Sequence, residues 1–300
     1  MKIKTLLHQS QEKLKKSSST PSLDVEILLS FVLNKNREHI LVNLDQEISL
    51  KQEKTFKKLL QKRLSKEPIA YIIGEKFFYG RKFAVDSQVL IPRPETELLV
   101  EKTLEYAHKN IYPSKKTFVF DLGTGSGCIL LSLIKEFSKN PNFSTFKFIG
   151  TDTSSRALNI AQKNAKNLEI KQIDFVKTNL LDFANNQYLE KIENSQIIIT
   201  ANLPYLSKKI YQNCPKSVIS FEPKKALLAE DKGLDLYIKL LKQIKNKNIA
   251  QNSFSFYLIL EISPEQKVLT HNKFQKILPE AEFYFSKDLA EKWRFVEILI

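Results

Sequence analysis

Cysteine, histidine and long apolar runs are scarce in this 300-residue chain, and each scarcity excludes a class of protein. The two cysteines, Cys128 and Cys214, make no disulfide framework, and the four histidines have no ligand spacing, so no metal site is predicted. No run of about 18 uncharged apolar residues appears, and the N-terminus lacks the apolar core of a signal peptide. We therefore expect a cytoplasmic protein without membrane contacts.

The chain is strongly basic, with a formal net charge of +14. Such a balance favours polyanionic partners such as RNA or ribosomes. However, the 41 lysines and six arginines are spread widely rather than clustered, which is typical of a solvated surface. We expect most of the positive charge to belong to such a solvated surface without a binding role, and we do not expect direct nucleic-acid binding.

Helical patterns dominate residues 1–70. A Thr-Pro pair predicts the start of a helix through 22–34, because these residue types favour an N-cap and a first helical position. Ser49 and Gln52 have capping-box spacing in front of an apolar stripe. Together with a further helix near the N-terminus, these patterns predict a small bundle, in which we find no catalytic constellation.

The pattern changes after residue 70. Two glycines separate short aromatic and β-branched runs over 70–92, which predicts a hairpin that connects two domains. We predict a helical domain at 1–75, a hairpin linker at 76–92 and an α/β domain at 93–300.

Strand and helix patterns alternate in the second half of the chain. Alternation of this kind predicts a mostly parallel, Rossmann-like sheet with helices on both faces. Two successive strand patterns at the end predict that the last of seven strands is antiparallel. The predicted strands lie at 117–121, 146–152, near 173–177, 196–201 and 254–262, and in two closing segments.

A glycine-rich loop, DLGTGSGC, follows the first of these strands. Glycines permit a tight turn and let a ligand approach the backbone, and the following helix presents free N–H groups. The spacing differs from G-x-G-x-x-G and from a phosphate loop, and an acid stands where pyrophosphate would be repelled. A tight turn without a ligand is the simplest alternative. The candidate ligand-binding residues are Asp121, Gly123, Thr124, Gly125, Ser126 and Gly127.

Asp152 ends the second strand of this half. An acid at this place can accept hydrogen bonds from both hydroxyls of a ribose. Since an acid beside the glycines can also face a cationic ligand, a nucleoside that carries a positive sulfonium fits both features. The alternative is that Asp152 only caps a helix.

The tetrad Asn202-Leu203-Pro204-Tyr205 follows the strand 196–201 and is called the NLPY tetrad below. Ligands of open α/β sheets sit beyond the carboxyl ends of the strands, which places the NLPY tetrad near the glycine loop. Asn202 offers an oxygen acceptor, Pro204 stiffens the turn, and Tyr205 offers a ring face. The tetrad therefore predicts a clamp for a flat group that carries an NH₂, although a proline turn with a core tyrosine is the alternative.

Such a clamp suits methyl transfer to a weakly nucleophilic amide or amine nitrogen. The side-chain oxygen of Asn202 and the backbone carbonyl of Leu203 can each accept one N–H, which points the nitrogen lone pair at an electrophilic methyl group. Positioning of this kind removes up to roughly 7–11 kcal/mol of barrier in the best cases. No strong base is required first, because the proton becomes acidic once the methyl group has arrived.

With these motifs in one order, the chain resembles class I S-adenosylmethionine-dependent methyltransferases. Segments 67–101, 221–237 and 260–266 are similar to the peptide chain release factor glutamine methyltransferase family, also called PrmC or HemK. The IPRPETE and EP…AL…GLD.Y patterns inside these segments are specific to that family, and the resemblance covers nearly the whole chain.

The resemblance implies transfer of a methyl group from S-adenosyl-L-methionine to the side-chain nitrogen of the glutamine in the Gly-Gly-Gln motif of release factors. It implies that the helical domain helps to dock the release factor, and it places Arg93, Glu95 and Thr96 in a segment that either shapes the pocket or is structural. Separately, we expect a monomer. The substrate glutamine would lie against the NLPY tetrad. The implied cofactor contacts are the glycine-loop residues named above, Asp152, Asn179, Leu180 and Asn202.

Two positions depart from the family pattern. Leu203 replaces the usual first proline, which keeps the carbonyl but loosens the backbone, and Asn179-Leu180 replaces an acid and an aromatic residue. Since NLPY also occurs in rRNA adenine dimethyltransferases, N6-adenine methylation of rRNA or DNA is an alternative function. A third possible function is that of a non-catalytic binding module. The intact glycine loop and Asn202 argue against it.

Overall fold

The computed structural model of the protein describes residues 1–141 and 143–300 and divides into two compact units. The helical unit contains residues 1–75 and 214–222, and the α/β unit contains 76–213 and 223–300. The domain limits drawn from the sequence, with a linker at 76–92, stay a prediction.

The described residues form α-helices, β-strands and several short 3₁₀ segments. The helices are α1 Ile3–Leu14, α2 Pro21–Leu33, α3 Arg37–Val42, α4 Leu50–Leu64, α5 Ile69–Ile73, α6 Glu97–Asn110, α7 Cys128–Phe137, α8 Ser155–Asn167, α9 Asn186–Ile192, α10 Lys208–Gln212, α11 Lys216–Phe221, α12 Asp235–Asn246, α13 Ile249–Asn252 and α14 Lys267–Ile277. The strands are β1 Glu75–Phe78, β2 Arg81–Ala84, β3 Thr117–Leu122, β4 Phe146–Asp152, β5 Asp174–Lys177, β6 Gln196–Ala201, β7 Ser255–Glu261, β8 Glu282–Lys287 and β9 Trp293–Leu299.

Helices α1 to α5 of the helical unit pack around one apolar core. The predicted capping box starts α4, since the Ser49 hydroxyl accepts from the Gln52 N–H at 3.2 Å and the Gln52 side chain accepts from the Ser49 N–H at 2.9 Å. Thr20 stands at the N-cap of α2, but its side chain makes no cap bond. A buried ion pair of 2.6 Å joins Arg63 to Asp24 and links α4 to α2.

A seven-stranded sheet forms the centre of the α/β unit, in the order β5-β4-β3-β6-β7-β9-β8. Strands β3 to β7 pair parallel with one another, and β9 pairs antiparallel with both β7 and β8. This topology confirms the predicted Rossmann-like sheet with an antiparallel last strand. Strands β1 and β2 form a separate two-stranded sheet.

Helices cover both faces of the seven-stranded sheet, because alternate strand residues point to opposite faces. Val119 of β3 packs into a core with α6 and α7, whereas Phe118 and Phe120 pack on the other face with α12 and α14. Within the described residues, no helix is long and apolar enough to cross a membrane.

Strand register brings three strand ends to one place. Leu122, at the end of β3, is paired with Ala201 of β6, and Ala201 is paired with Leu260 of β7. The residues that directly follow or end these strands therefore lie side by side at the carboxyl edge of the sheet. They are the glycine loop, the NLPY tetrad and Glu261.

Candidate active site

The glycine loop is fixed to the end of β4 by its backbone. The N–H groups of Gly123 and Thr124 both donate to the carbonyl of Thr151 at 2.8 Å. Gly125 has a φ of +55°, and a methyl group added there would have only the Gly123 carbonyl oxygen nearby, at 3.9 Å. The loop therefore presents an open stretch of backbone, which a ligand can approach closely.

Asp121 supports the loop from below. Its carboxylate accepts from the Thr124 hydroxyl at 2.6 Å and from the Thr200 hydroxyl at 2.9 Å, and the side chain is fully buried. Burial raises the pKa of Asp121 to about 6, against the lowering effect of the two hydroxyls and with a small contribution from Asp152. Each carboxylate oxygen of Asp121 therefore accepts from one protein hydroxyl, and a contact of this residue with the cofactor stays a prediction.

We expect the elevated pKa of Asp121 to make stability depend on pH. An aspartate of an unfolded chain has a pKa near 3.9, so between about pH 4 and 6 the folded state binds more protons than the unfolded state. The contribution of Asp121 to the free energy of unfolding should therefore fall as the pH rises, by up to about 3 kcal/mol. Urea unfolding of the wild type and of Asp121→Asn at several pH values measures this, and a constant difference between the two would contradict it.

Asp152 lies at the end of β4, beside the open part of the loop. One carboxylate oxygen accepts from the Gly125 N–H at 3.1 Å and the other accepts from the Ser154 N–H at 2.8 Å. Partial burial raises the pKa of Asp152, against the lowering effect of these backbone donors. Since each carboxylate oxygen has two lone pairs, both can accept a further hydrogen bond.

The NLPY tetrad lies against the glycine loop. The Leu203 side chain is buried, and a methyl group added to Gly123 would lie 2.9 Å from its Cδ2 atom. Leucine at this position therefore packs directly on the backbone of the loop. The Leu203 carbonyl lies 3.4 Å from the hydroxyl of Tyr237, which also donates to the Glu261 carbonyl.

Glu261 connects the polar members of the NLPY tetrad. The carboxylate is 1% exposed and accepts from Asn202 Nδ2 at 2.9 Å and from the Tyr205 hydroxyl at 3.0 Å. The Thr96 hydroxyl also donates to it at 2.7 Å, so Thr96 supports the site from beneath. Burial raises the pKa of Glu261, while Thr96, Tyr205 and Arg294 act in the opposite direction and Glu95 adds to the rise.

Two further contacts hold Tyr205. The Gln266 side chain donates to the Tyr205 carbonyl at 2.8 Å and to the Lys232 carbonyl at the same distance. Gly233, with a φ of +88°, packs against the Tyr205 carbonyl, where a side chain would not fit. Glu261, Gln266 and Gly233 are not among the site residues predicted from the sequence, although all three lie in the family-like segments 221–237 and 260–266.

The remaining candidates lie around this centre. Leu180 is buried in the sheet core with a φ of +56°, and Asn179 is half-buried. The Thr178 N–H donates to the Asp152 carbonyl at 3.0 Å, which keeps this segment beside β4. Ser126 is buried, and its carbonyl accepts from Asn164 at 2.8 Å. Cofactor contacts by these residues stay predictions.

Comparison with protein families identifies the class. Residues 113–281 match a methyltransferase domain, and residues 5–74 match the PrmC N-terminal domain. The α/β unit with its glycine loop and NLPY tetrad is thus part of a methyltransferase.

Individual relatives identify the family. The chain is 40% identical over 245 residues to the release factor glutamine methyltransferase of Buchnera aphidicola, covering 82% of each protein. It is 34% identical over 223 residues to the protein of the same name from Bacillus anthracis, covering 74% of each. A bifunctional methyltransferase of Rickettsia prowazekii is 34% identical, but the chain spans only 57% of that protein. The chain belongs to the release factor glutamine methyltransferase family.

Proposed function

We propose that the protein transfers a methyl group from S-adenosyl-L-methionine to the side-chain amide nitrogen of the glutamine in the Gly-Gly-Gln motif of peptide chain release factors. The observation that carries this proposal is the direct packing of Leu203 on Gly123, which sets the NLPY tetrad against the glycine loop. Family membership supports the same reaction rather than the adenine alternative. The proposal places the reaction in the cytoplasm, where translation ends, and we infer a monomeric enzyme.

The residues around the glycine loop suit the cofactor. The open backbone at Gly125 leaves space for a nucleoside, and the spare lone pairs of Asp152 suit two ribose hydroxyls. The buried acid Asp121 favours a cation over a phosphate. When bound, S-adenosyl-L-methionine supplies an electrophilic methyl group and leaves as S-adenosyl-L-homocysteine.

The NLPY tetrad orients the substrate nitrogen. The side-chain oxygen of Asn202 and the Leu203 carbonyl each accept one hydrogen of the glutamine NH₂, and the Tyr205 ring supports the flat carboxamide. The nitrogen lone pair, which is perpendicular to the amide plane, then points at the methyl group. After transfer, the nitrogen loses a proton that has become acidic, so no strong base is required beside it.

We further infer that the helical domain at 1–75 docks the release factor. The match of residues 5–74 to the PrmC N-terminal domain supports a role that is specific to this family. The unit also has apolar side chains on its surface, such as Leu50 at 84% and Val42 at 82% exposure.

The experiment that tests the function offers three substrates side by side. The protein is incubated with methyl-labelled S-adenosyl-L-methionine and a release factor, the same factor with its Gly-Gly-Gln glutamine replaced by alanine, or rRNA. Label in the intact factor alone is expected. Label in rRNA, or equal label in the alanine variant, would contradict the proposal.

Asp152→Ala is expected to weaken cofactor binding by roughly 10- to 100-fold. Hydrogen bonds to a charged group contribute about 1.5–3 kcal/mol, and the variant loses those to the ribose. Titration calorimetry with S-adenosyl-L-methionine measures the affinity. Asp86→Ala is a matched control, because Asp86 accepts from the backbone two residues on, at Gln88, just as Asp152 does at Ser154. Unchanged affinity in Asp152→Ala would exclude the ribose role.

A further inference from the structure

The nitrogen of the Asn202 side-chain amide is held inside the protein by two oxygens. Nδ2 lies 2.9 Å from Oε2 of Glu261 and 3.2 Å from Oγ1 of Thr96. The Thr96 hydroxyl donates its own hydrogen to Glu261 at 2.7 Å, so its oxygen is left to accept from Nδ2. The Asn202 oxygen therefore lies at the opposite end of the amide, away from these partners.

The chemistry of Glu261 decides which end of the amide faces inward. The oxygen and nitrogen ends of an asparagine side chain have nearly the same shape, so hydrogen-bond partners set the orientation. A carboxylate only accepts hydrogen bonds, and both oxygens of Glu261 act as acceptors here, one from the Thr96 hydroxyl and one from the Tyr205 hydroxyl, which opposes the rise of its pKa by burial. A reversed Asn202 would place its oxygen against the carboxylate, where the two acceptors repel each other.

We propose that Glu261 is a positioning residue that holds the Asn202 amide with its oxygen toward the substrate and so selects glutamine over glutamate. This inference rests on the proposed function, since it assigns the origin of substrate selectivity at the same site. Two acceptors, the Asn202 oxygen and the Leu203 carbonyl, bind an NH₂ and repel a carboxylate. Glu261 also accepts from Tyr205 at 3.0 Å, so one carboxylate orients both polar side chains of the NLPY tetrad.

The variant Glu261→Gln tests this role with little change of shape. A glutamine presents either NH₂ or oxygen to Asn202, so both orientations of the Asn202 amide become possible. We expect kcat to fall tenfold or more while the Kd for S-adenosyl-L-methionine changes by less than about twofold. A release factor with glutamate in place of the Gly-Gly-Gln glutamine should inhibit this variant at least several-fold more strongly than it inhibits the wild type.

Glu297→Gln serves as a matched control. Glu297 also accepts from a tyrosine hydroxyl, that of Tyr257 at 2.9 Å, but it lies on β9 opposite Ile259, away from the strand ends. Its replacement should leave both kcat and the preference for glutamine unchanged. The inference is overturned if Glu261→Gln keeps kcat within twofold of the wild type and discriminates against the glutamate factor equally well.

A measurement on the wild type decides the orientation even if Glu261→Gln does not fold. With asparagine side chains labelled with ¹⁵N, the Asn202 NH₂ signal is identified by its loss in Asn202→Ala. Slow exchange with solvent is expected for this NH₂, because its nitrogen lies within hydrogen-bond distance of Glu261 and Thr96, and fast exchange of both hydrogens would overturn the inference. Failure of the wild type to methylate any release factor would instead reject the proposed function, and the exchange rate would still report the orientation.

Discussion

Asn202→Ala is expected to lower kcat about a thousandfold, with a change of less than about threefold in the Kd for S-adenosyl-L-methionine. The variant loses the side-chain oxygen that directs the substrate nitrogen, while the glycine loop and Asp152 remain. Removal of one oriented hydrogen-bonding group from an active site typically costs 10²–10³ in kcat. Here, loss of orientation adds to that cost, because the amide nitrogen is a poor nucleophile. Single-turnover assays with labelled cofactor, beside calorimetry, separate the two quantities.

A control for Asn202→Ala must separate an effect on the methyl-transfer step from an effect on folding. Asn110→Ala removes an exposed amide that, within the described part of the chain, donates to the Tyr106 carbonyl at the end of α6, and it should leave kcat unchanged. Asn202→Ala also leaves Glu261 with one donor fewer, so a modest fall in melting temperature is expected. Turnover near the wild-type rate in a folded Asn202→Ala protein would reject the clamp.

Gly233→Ala is expected to destabilise the protein by about 3 kcal/mol or more and to lower turnover strongly. An added methyl group would overlap the Tyr205 carbonyl oxygen and Gln266 Nε2, and would lie 2.8 Å from the Tyr205 carbonyl carbon. Most of the overlap is with backbone, which cannot rotate away as a side chain can. The overlap is relieved by displacement of Tyr205, which would disorder the NLPY tetrad.

Gly80→Ala gives the matched comparison for Gly233→Ala. Gly80 also has a positive φ, +68°, but a methyl group added there meets no atom within 4 Å. This variant should therefore cost only the backbone strain of a left-handed residue, about 1–2 kcal/mol, and should retain full turnover. Urea unfolding and methylation assays on both variants give the comparison. Equal losses of stability and turnover in the two variants would mean that the overlap with Tyr205 adds nothing to the backbone strain.

Local sequence patterns were sufficient to predict many strands of the sheet. Strands β4 and β6 agree with the predicted 146–152 and 196–201, because continuous apolar and β-branched runs mark strands buried on both faces. Helix α6 was not predicted, although Leu99, Val100, Thr103 and Ala107 lie buried at helical spacing. That pattern was readable from the sequence, whereas α5, inside a run rich in β-branched residues, gave no helical signal.

The support behind the site depends on contacts that the sequence does not reveal. Asn202 and Glu261 are 59 positions apart, and their contact depends on the pairing of Ala201 with Leu260. An acid at the end of an apolar strand was the one available signal for Glu261, and it resembles Asp152 in that respect. The role of Asp121 toward a ligand stays a prediction, and its contacts with Thr124 and Thr200 are visible only in the folded loop.

The position of β9 between β7 and β8 has a consequence for synthesis on the ribosome. Within the described sheet, β8 is hydrogen-bonded only to β9, and β7 has its second neighbour in β9. During translation, β8 therefore emerges before the strand that attaches it, and the flank of β7 stays unpaired until Trp293–Leu299 has left the exit tunnel. The nascent enzyme therefore passes through a stage in which the edge of β7 beside Glu261 is unpaired. At this stage, self-association and chaperone binding compete most strongly with the pairing of β9.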